Sequence, residues 1–240
     1  MDLAYVVAVV FFATLVRSTF GFGEALVAVP LLALRVPVEV AVPLAAMLSV
    51  GVAAVVVVQD AKLVEVRSAA WLVGASVVGI PLGVWLLRAA DEQIVKAALA
   101  AVIILFSAWS LATRRPPELG DSRRWLVGAG VIAGVLGGAY GMNGPPLVVY
   151  GALRRWDPPR FRATLQAYFL PASALGLVGY AATGLVGTEL LRDVAWCVPG
   201  AAIAIIVGRA LNRRISSAAF VRWVYVGLIA VGAALLAQAA

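Results

Sequence analysis

The sequence predicts an all-α membrane protein, a polytopic helical bundle of two inverted repeats. Each repeat is expected to hold a re-entrant or broken helical hairpin followed by about three transmembrane helices. Three observations predict this. Apolar runs of about twenty residues recur along the chain, the length a ~30 Å hydrocarbon core requires. The composition is 63% hydrophobic and 13% charged, with a mean hydropathy of +1.01. Each half also opens on a short apolar stretch split by a glycine-rich interruption.

Residues 3–16 are apolar, Arg17-Ser18-Thr19-Phe20-Gly21-Phe22-Gly23-Glu24 interrupts them, and residues 25–34 resume. At 1.5 Å per residue these pieces are ~21 and ~15 Å long, short of a ~30 Å core. Residues 3–35 therefore read as a hairpin with its tip at membrane depth. Spans follow at 38–58, 68–87 and 94–112, separated by polar loops. Residues 114–124 are the longest polar connection and read as a cytoplasmic linker between an N-terminal repeat, 1–113, and a C-terminal repeat, 125–240. The second half repeats the plan, with a hairpin at 125–153 and spans at 160–186, 194–210 and 218–237. Met1-Asp2-Leu3 lacks the basic stretch of a signal peptide, so the first segment is expected to be retained.

The duplication can be traced residue by residue. Ala70-Trp71-Leu72-Val73 aligns with Ala195-Trp196-Cys197-Val198 at an offset of 125, as Gly83 does with Gly208 and Arg88 with Arg213. Nearer the hairpins the offset shortens to 121, pairing Pro37 with Pro158 and Leu44 with Leu165. A hairpin plus three spans crosses an odd number of times, so the halves have opposite orientation, a signature of transporters. Thirteen of the 19 Lys and Arg fall on one predicted side and four on the other, with Arg17 and Arg222 unassigned. The rich side is cytoplasmic by the positive-inside rule, so both termini are expected outside. The expected location is a prokaryotic plasma (inner) membrane.

Composition also excludes classes. There is no histidine and a single cysteine, Cys197, which reads as a packing residue. That removes the usual metal ligands, proton shuttle and triad base, so no enzyme, metal or cofactor is expected. The net charge of +7 reads as a topology signal rather than a nucleic-acid footprint. The partners expected are membrane lipids and a small anion; the oligomeric state is open. The tryptophans, among them Trp71, Trp109, Trp125, Trp156 and Trp223, lie near span ends as an aromatic belt.

In the inverted arrangement the two tips, 21–24 and 137–146, meet near the midplane. Pro145 and Pro146 suit a helix start and Asn143 an N-cap, so free amides and a positive dipole end point at the break. Two such starts favour an anion without a formal charge. The candidate substrate-binding residues are Gly21, Phe22, Gly23, Glu24, Gly141, Met142, Asn143, Gly144 and Gln166. A carboxylate at membrane depth costs about 2.5–3.5 kcal/mol and needs a partner or a proton. Glu24 thus has three readings: paired with Arg17, protonated and coupling a proton to transport, or a charge complementing the helix dipole in a wet vestibule. Asn143 either caps alone or also touches the ligand. Gln166 either faces the pocket with Thr164 and Tyr168 or makes an interhelical hydrogen bond. Arg160 and Arg162 read first as topology charges at a span's cytoplasmic end and second as charges drawing anions to the inner mouth.

Several of these segments resemble one known family. Gly21-Phe22-Gly23, Val29-Pro30-Leu31-Leu32, Gly141-Met142-Asn143-Gly144-Pro145-Pro146 and Arg160-Phe161-Arg162-Ala163-Thr164-Leu165 are similar to the TauE/SafE sulfite exporter family of membrane permeases. The resemblance covers essentially the whole chain. It implies transport of small sulfur-containing anions or organic acids, such as sulfite, sulfoacetate or related sulfonates, driven by an ion gradient; the protonated reading of Glu24 makes H+ the coupling candidate. Glu24 and Ala25 depart from the family's first motif, which continues with glycines. The expected function is a secondary transporter working by alternating access. A passive anion channel or a carboxylate transporter on the same scaffold is the alternative.

Overall fold

The computed structural model describes residues 2–113, 118, 122–155, 158–212 and 218–239. Among them are ten α-helices and no strand. The first five are α1 (Leu3–Phe20), α2 (Glu24–Ala33), α3 (Val38–Asp60), α4 (Val66–Ala89) and α5 (Glu92–Ala112). The second five are α6 (Arg123–Tyr140), α7 (Gly144–Leu153), α8 (Pro158–Ala182), α9 (Thr188–Asn212) and α10 (Ala218–Ala239). A 3-10 turn, Ala61–Leu63, joins α3 to α4. Six of the described helices are long and apolar enough to cross a membrane: α1, α3, α4, α5, α8 and α9. Their outer faces are apolar too. Val78, Leu105 and Ile206 are 71%, 70% and 71% exposed, a surface suited to lipid rather than water. The chain is an integral membrane protein.

Two helices run further than their apolar stretches. α1 continues through Arg17, Ser18 and Thr19 to Phe20, so the interruption expected at 17–24 narrows to residues 21–23. Arginine is a good helix former, and the hydroxyl of Thr19 returns a 2.7 Å hydrogen bond to the Leu15 carbonyl one turn back. With 18 residues α1 is ~27 Å long, close to a full crossing. α6 likewise reaches Tyr140, leaving residues 141–143 as the second break. The helix expected over 160–186 stops at Ala182, because Gly184 adopts φ 76° and the Leu185 amide folds back onto the Tyr180 carbonyl. Most of the linker at 114–124, together with Trp156, Arg213 and Arg214, lies outside the described residues, as do the side chains of Arg162 and Trp223.

The two sets of five helices run in step. α1 and α6 both have 18 residues, α2 and α7 both have 10, and α1 and α6 end at Phe20 and Tyr140, 120 residues apart. The most extensive packing is reciprocal. α4 lies on α6 as α9 lies on α1, while α3 meets α8 and α5 meets α10. Glycine marks the α4–α6 crossing on both sides. A Cβ on Gly83 would sit 2.6 Å from the Ala139 amide nitrogen, and one on Gly134 2.7 Å from the Ser76 carbonyl. Such backbone-to-backbone approach is how membrane helices associate where the hydrophobic effect gives little drive. Gly208 takes the same place on α1, with its absent Cβ 2.6 Å from Ser18 Cβ.

Candidate functional site

The two breaks are built alike and lie side by side. Gly21 ends α1 at φ 87° with its amide on the Arg17 carbonyl at 2.6 Å, and Gly141 ends α6 at φ 65° with its amide on the Gly137 carbonyl at 2.8 Å. Side chains rarely adopt that left-handed backbone, which glycine takes without strain. A Cβ on Gly141 would lie 3.7 Å from Ala25 Cβ, and one on Gly144 3.9 Å from Phe22 Cδ2, so each break touches the start of the other half's short helix.

Neither short helix is capped by a side chain. Gly23, at φ 99°, has none to offer α2. Asn143 stands at the N-cap position of α7 but makes no capping bond, contrary to the sequence expectation. Its backbone is already helical (φ −72°, ψ −19°), and its amide turns to the Tyr168 hydroxyl at 3.4 Å. α7 begins at Gly144, and Pro145 and Pro146 in its first turn carry no N–H to leave unsatisfied. The α2 start is therefore the richer set of free amides.

Charge enters on one side only. Arg17 Nη1 and Glu24 Oε2 form an ion pair at 2.5 Å, with side chains 3% and 4% exposed. The carboxylate's other oxygen accepts from Thr14 Oγ1 at 2.7 Å. Arg17 also donates to Ser49 Oγ at 2.5 Å and to Gln166 Oε1 at 2.8 Å, and its guanidinium lies 5.5 Å from the centre of the Phe169 ring. Gln166 in turn donates to the Gly21 carbonyl. Arg17 sits in the last turn of α1 and Glu24 in the first turn of α2, the ends whose dipoles favour a cation and an anion respectively. Of the three readings of Glu24, the structure shows the pairing with Arg17. The network also ties the first break to α3 and α8.

A cavity of about 30 Å³ lies between the breaks. That is room for about two waters. Its wall includes Phe22, Gly23, Glu24, Gly141, Met142, Asn143 and Gly144, and also Arg17. Gly21 and Gln166 stand behind that wall and hold Arg17 and the break in place. Thr164 points elsewhere, accepting the Glu65 amide at 3.0 Å. Sequence reasoning passed over Thr14, Ser49, Phe169 and Ser173. Thr14, Ser49 and Ser173 carried the same weak signal, a hydroxyl inside an apolar run. Cys197 is buried and free.

Comparison with known proteins settles the family. The model described as "Sulfite exporter TauE/SafE" matches residues 6–235. The chain belongs to the TauE/SafE family. That family is described as one of sulfite exporters. A curated TauE/SafE relative, the "Probable sulfite/organosulfonate exporter TauE" of Cupriavidus necator, is 28% identical over 144 residues. That alignment covers 59% of this chain and 56% of the relative, so the match spans little more than half of the relative's length. No solved structure gives a significant match.

Proposed function

We propose that the protein is a secondary transporter for a small sulfur-containing or organic anion, such as sulfite, sulfoacetate or a related sulfonate. The observation that carries this reading is the cavity where an uncapped helix start and a buried guanidinium converge on one small space. Backbone donors and a fixed cation, shielded from water, replace the hydration shell of an anion. The name of the Cupriavidus relative supports sulfite or an organosulfonate as cargo.

The halves, 1–113 and 125–240, act as inverted repeats that rock about the site and expose it to each side in turn. The reciprocal packing of α4 on α6 and α9 on α1, with Gly83 and Gly208 in matching places, supports this. The glycines at 21, 23, 141 and 144 let the backbone approach the ligand, Phe22, Met142 and Asn143 shape the pocket, and Gln166 steadies it. Glu24 couples transport to H+. The chain lies in a prokaryotic plasma membrane with the 114–124 linker inside and both termini outside.

Uptake of radiolabelled sulfite, sulfoacetate and taurine into proteoliposomes under an imposed pH gradient tests the reading. Saturable accumulation, lost in Asn143→Ala, is expected. A passive channel would show flux without accumulation or counterflow. No flux of these anions through folded protein would sink the sulfur-anion assignment.

A further inference from the structure

One buried donor at the site is left over. Arg17 sends Nη1 and Nη2 to Glu24, Ser49 and Gln166, yet its Nε, fully buried, has no acceptor among the described residues. The same side chain lines the cavity between the breaks, next to the uncapped start of α2. We propose that Arg17 receives the transported anion, and that Glu24 is a tethered stand-in for that anion. On substrate arrival Glu24 gives up the guanidinium and takes a proton. This rests on the transport reading above.

The chemistry of the pair supports the exchange. A guanidinium offers a planar fork that a carboxylate or a sulfonate fills equally well, so the tethered carboxylate and an incoming anionic head compete for one partner. Charge then dictates the proton. Among the described residues, the one charged side chain bonded to Glu24 is Arg17 of α1, and α1 adds Thr14. α3 brings Ser49, α8 brings Gln166 and Phe169, and the α6–α7 break brings Asn143 with the phenol of Tyr168 behind it. With the site empty, plus one and minus one cancel. A monovalent anion added to it leaves one uncompensated buried negative charge, which protonation of the displaced carboxylate removes. The proton comes from the solution that supplies the anion. The Arg17–Glu24 pair breaks, an Arg17–anion pair and a carboxyl O–H form, and both leave together on the other side. Exchange of proton against anion would instead leave Arg17 buried without a counter-ion in the empty site, a costly state. The structure therefore favours co-transport.

The test uses purified protein in detergent and ethanesulfonate, a strong-acid anion that does not itself titrate. Binding is measured by calorimetry in two buffers of different ionisation heat. Wild type is expected to take up about one proton per anion. Glu24→Gln, with the competitor removed, should bind more tightly by about 5–150-fold, the usual span of site coupling, and take up none. Thr14→Val loosens Glu24 without removing it, so it should bind more tightly and keep the proton uptake. Wild-type affinity and retained proton uptake in Glu24→Gln overturn the proposal. Should that variant fail to fold, Thr14→Val decides: unchanged or weaker binding overturns it. Sulfonate flux in proteoliposomes without proton uptake overturns this inference alone. Absence of both binding and flux for ethanesulfonate, sulfite and sulfoacetate overturns the transport reading with it.

Discussion

Asn143 fills the space that a side chain on Gly137 would need: a Cβ built there would lie 2.5 Å from Asn143 Nδ2. Gly137 follows Arg17 by the same 120 residues that separate Tyr140 from Phe20, and Gly144 stands in the same relation to Glu24. Where the first half places an ion pair, the second places two glycines and turns a neutral amide into the gap. The lengths of the first two helices match between the two sets, and the chemistry does not. One cation, rather than two, faces the cavity from the described residues, which suits a single small anion.

Gly137→Ala should accordingly destabilise the protein by about 1–3 kcal/mol, the usual cost of overpacking a filled core. The double variant Gly137→Ala/Asn143→Ala should recover part of that loss, because the clashing amide is gone. Thermal unfolding in detergent reads both. Equal melting temperatures for the single and double variants would reject the steric account.

Much of the helical architecture was legible because lipid imposes simple demands: a stretch that crosses must be apolar and about twenty residues long. The breaks were legible too, since Gly21, Gly23 and Gly141 take left-handed backbone that other residues avoid. Their width was not. Arg17-Ser18-Thr19 looks like an interruption on a polarity scale, yet the segment is helical: Arg17 finds partners inside the bundle and Thr19 bonds back to its own helix. Those partners, Ser49 and Gln166, lie 32 and 149 residues away, a relationship that no local pattern carries. The α4–α6 crossing is the reverse case. Ala75, Gly79 and Gly83 face Gly130, Gly134 and Gly138 at four-residue spacing, a small-residue motif available in the sequence.

Removing one member of the buried pair should cost more than removing both. Arg17→Met leaves Glu24 buried without its cation, a penalty of about 3–5 kcal/mol. Arg17→Met/Glu24→Leu replaces both charges by apolar groups and should regain most of that stability while losing anion binding altogether. Chemical unfolding in mild detergent, paired with a binding assay, measures the two effects. A double variant no more stable than the single one would mean that Glu24 is neutralised by something other than Arg17.

Alanine should separate tight glycines from idle ones. Gly83→Ala forces α4 away from α6, where its Cβ would meet the Ala139 amide at 2.6 Å, and backbone cannot move aside as a side chain can. Loss of monodisperse protein, or a fall of several degrees in melting temperature, is expected. Gly74 lies on the same helix with nothing within 4 Å of its Cβ position, so Gly74→Ala should be neutral or slightly stabilising through helix propensity. Equal tolerance of both substitutions would contradict the packing described for this crossing.

Tyr180 holds the second break from behind. Its hydroxyl, at the end of α8, lies 2.8 Å from the carbonyls of both Gly137 and Gly138 at the end of α6. The Gly137 carbonyl also accepts the Gly141 amide, so it keeps a partner without the tyrosine, whereas the Gly138 carbonyl depends on the phenol. Tyr180→Phe keeps the ring and leaves that buried acceptor unmade, which costs about 1–3 kcal/mol. Because the lost bond sits at the last turn of α6, the damage should be local. Amide exchange should speed up over residues 139–142 and stay unchanged in α4, while the melting temperature falls modestly. A variant with wild-type exchange at the break would mean that water has taken the hydroxyl's place, and that the position of the second break is set by the glycine turn at 141 alone.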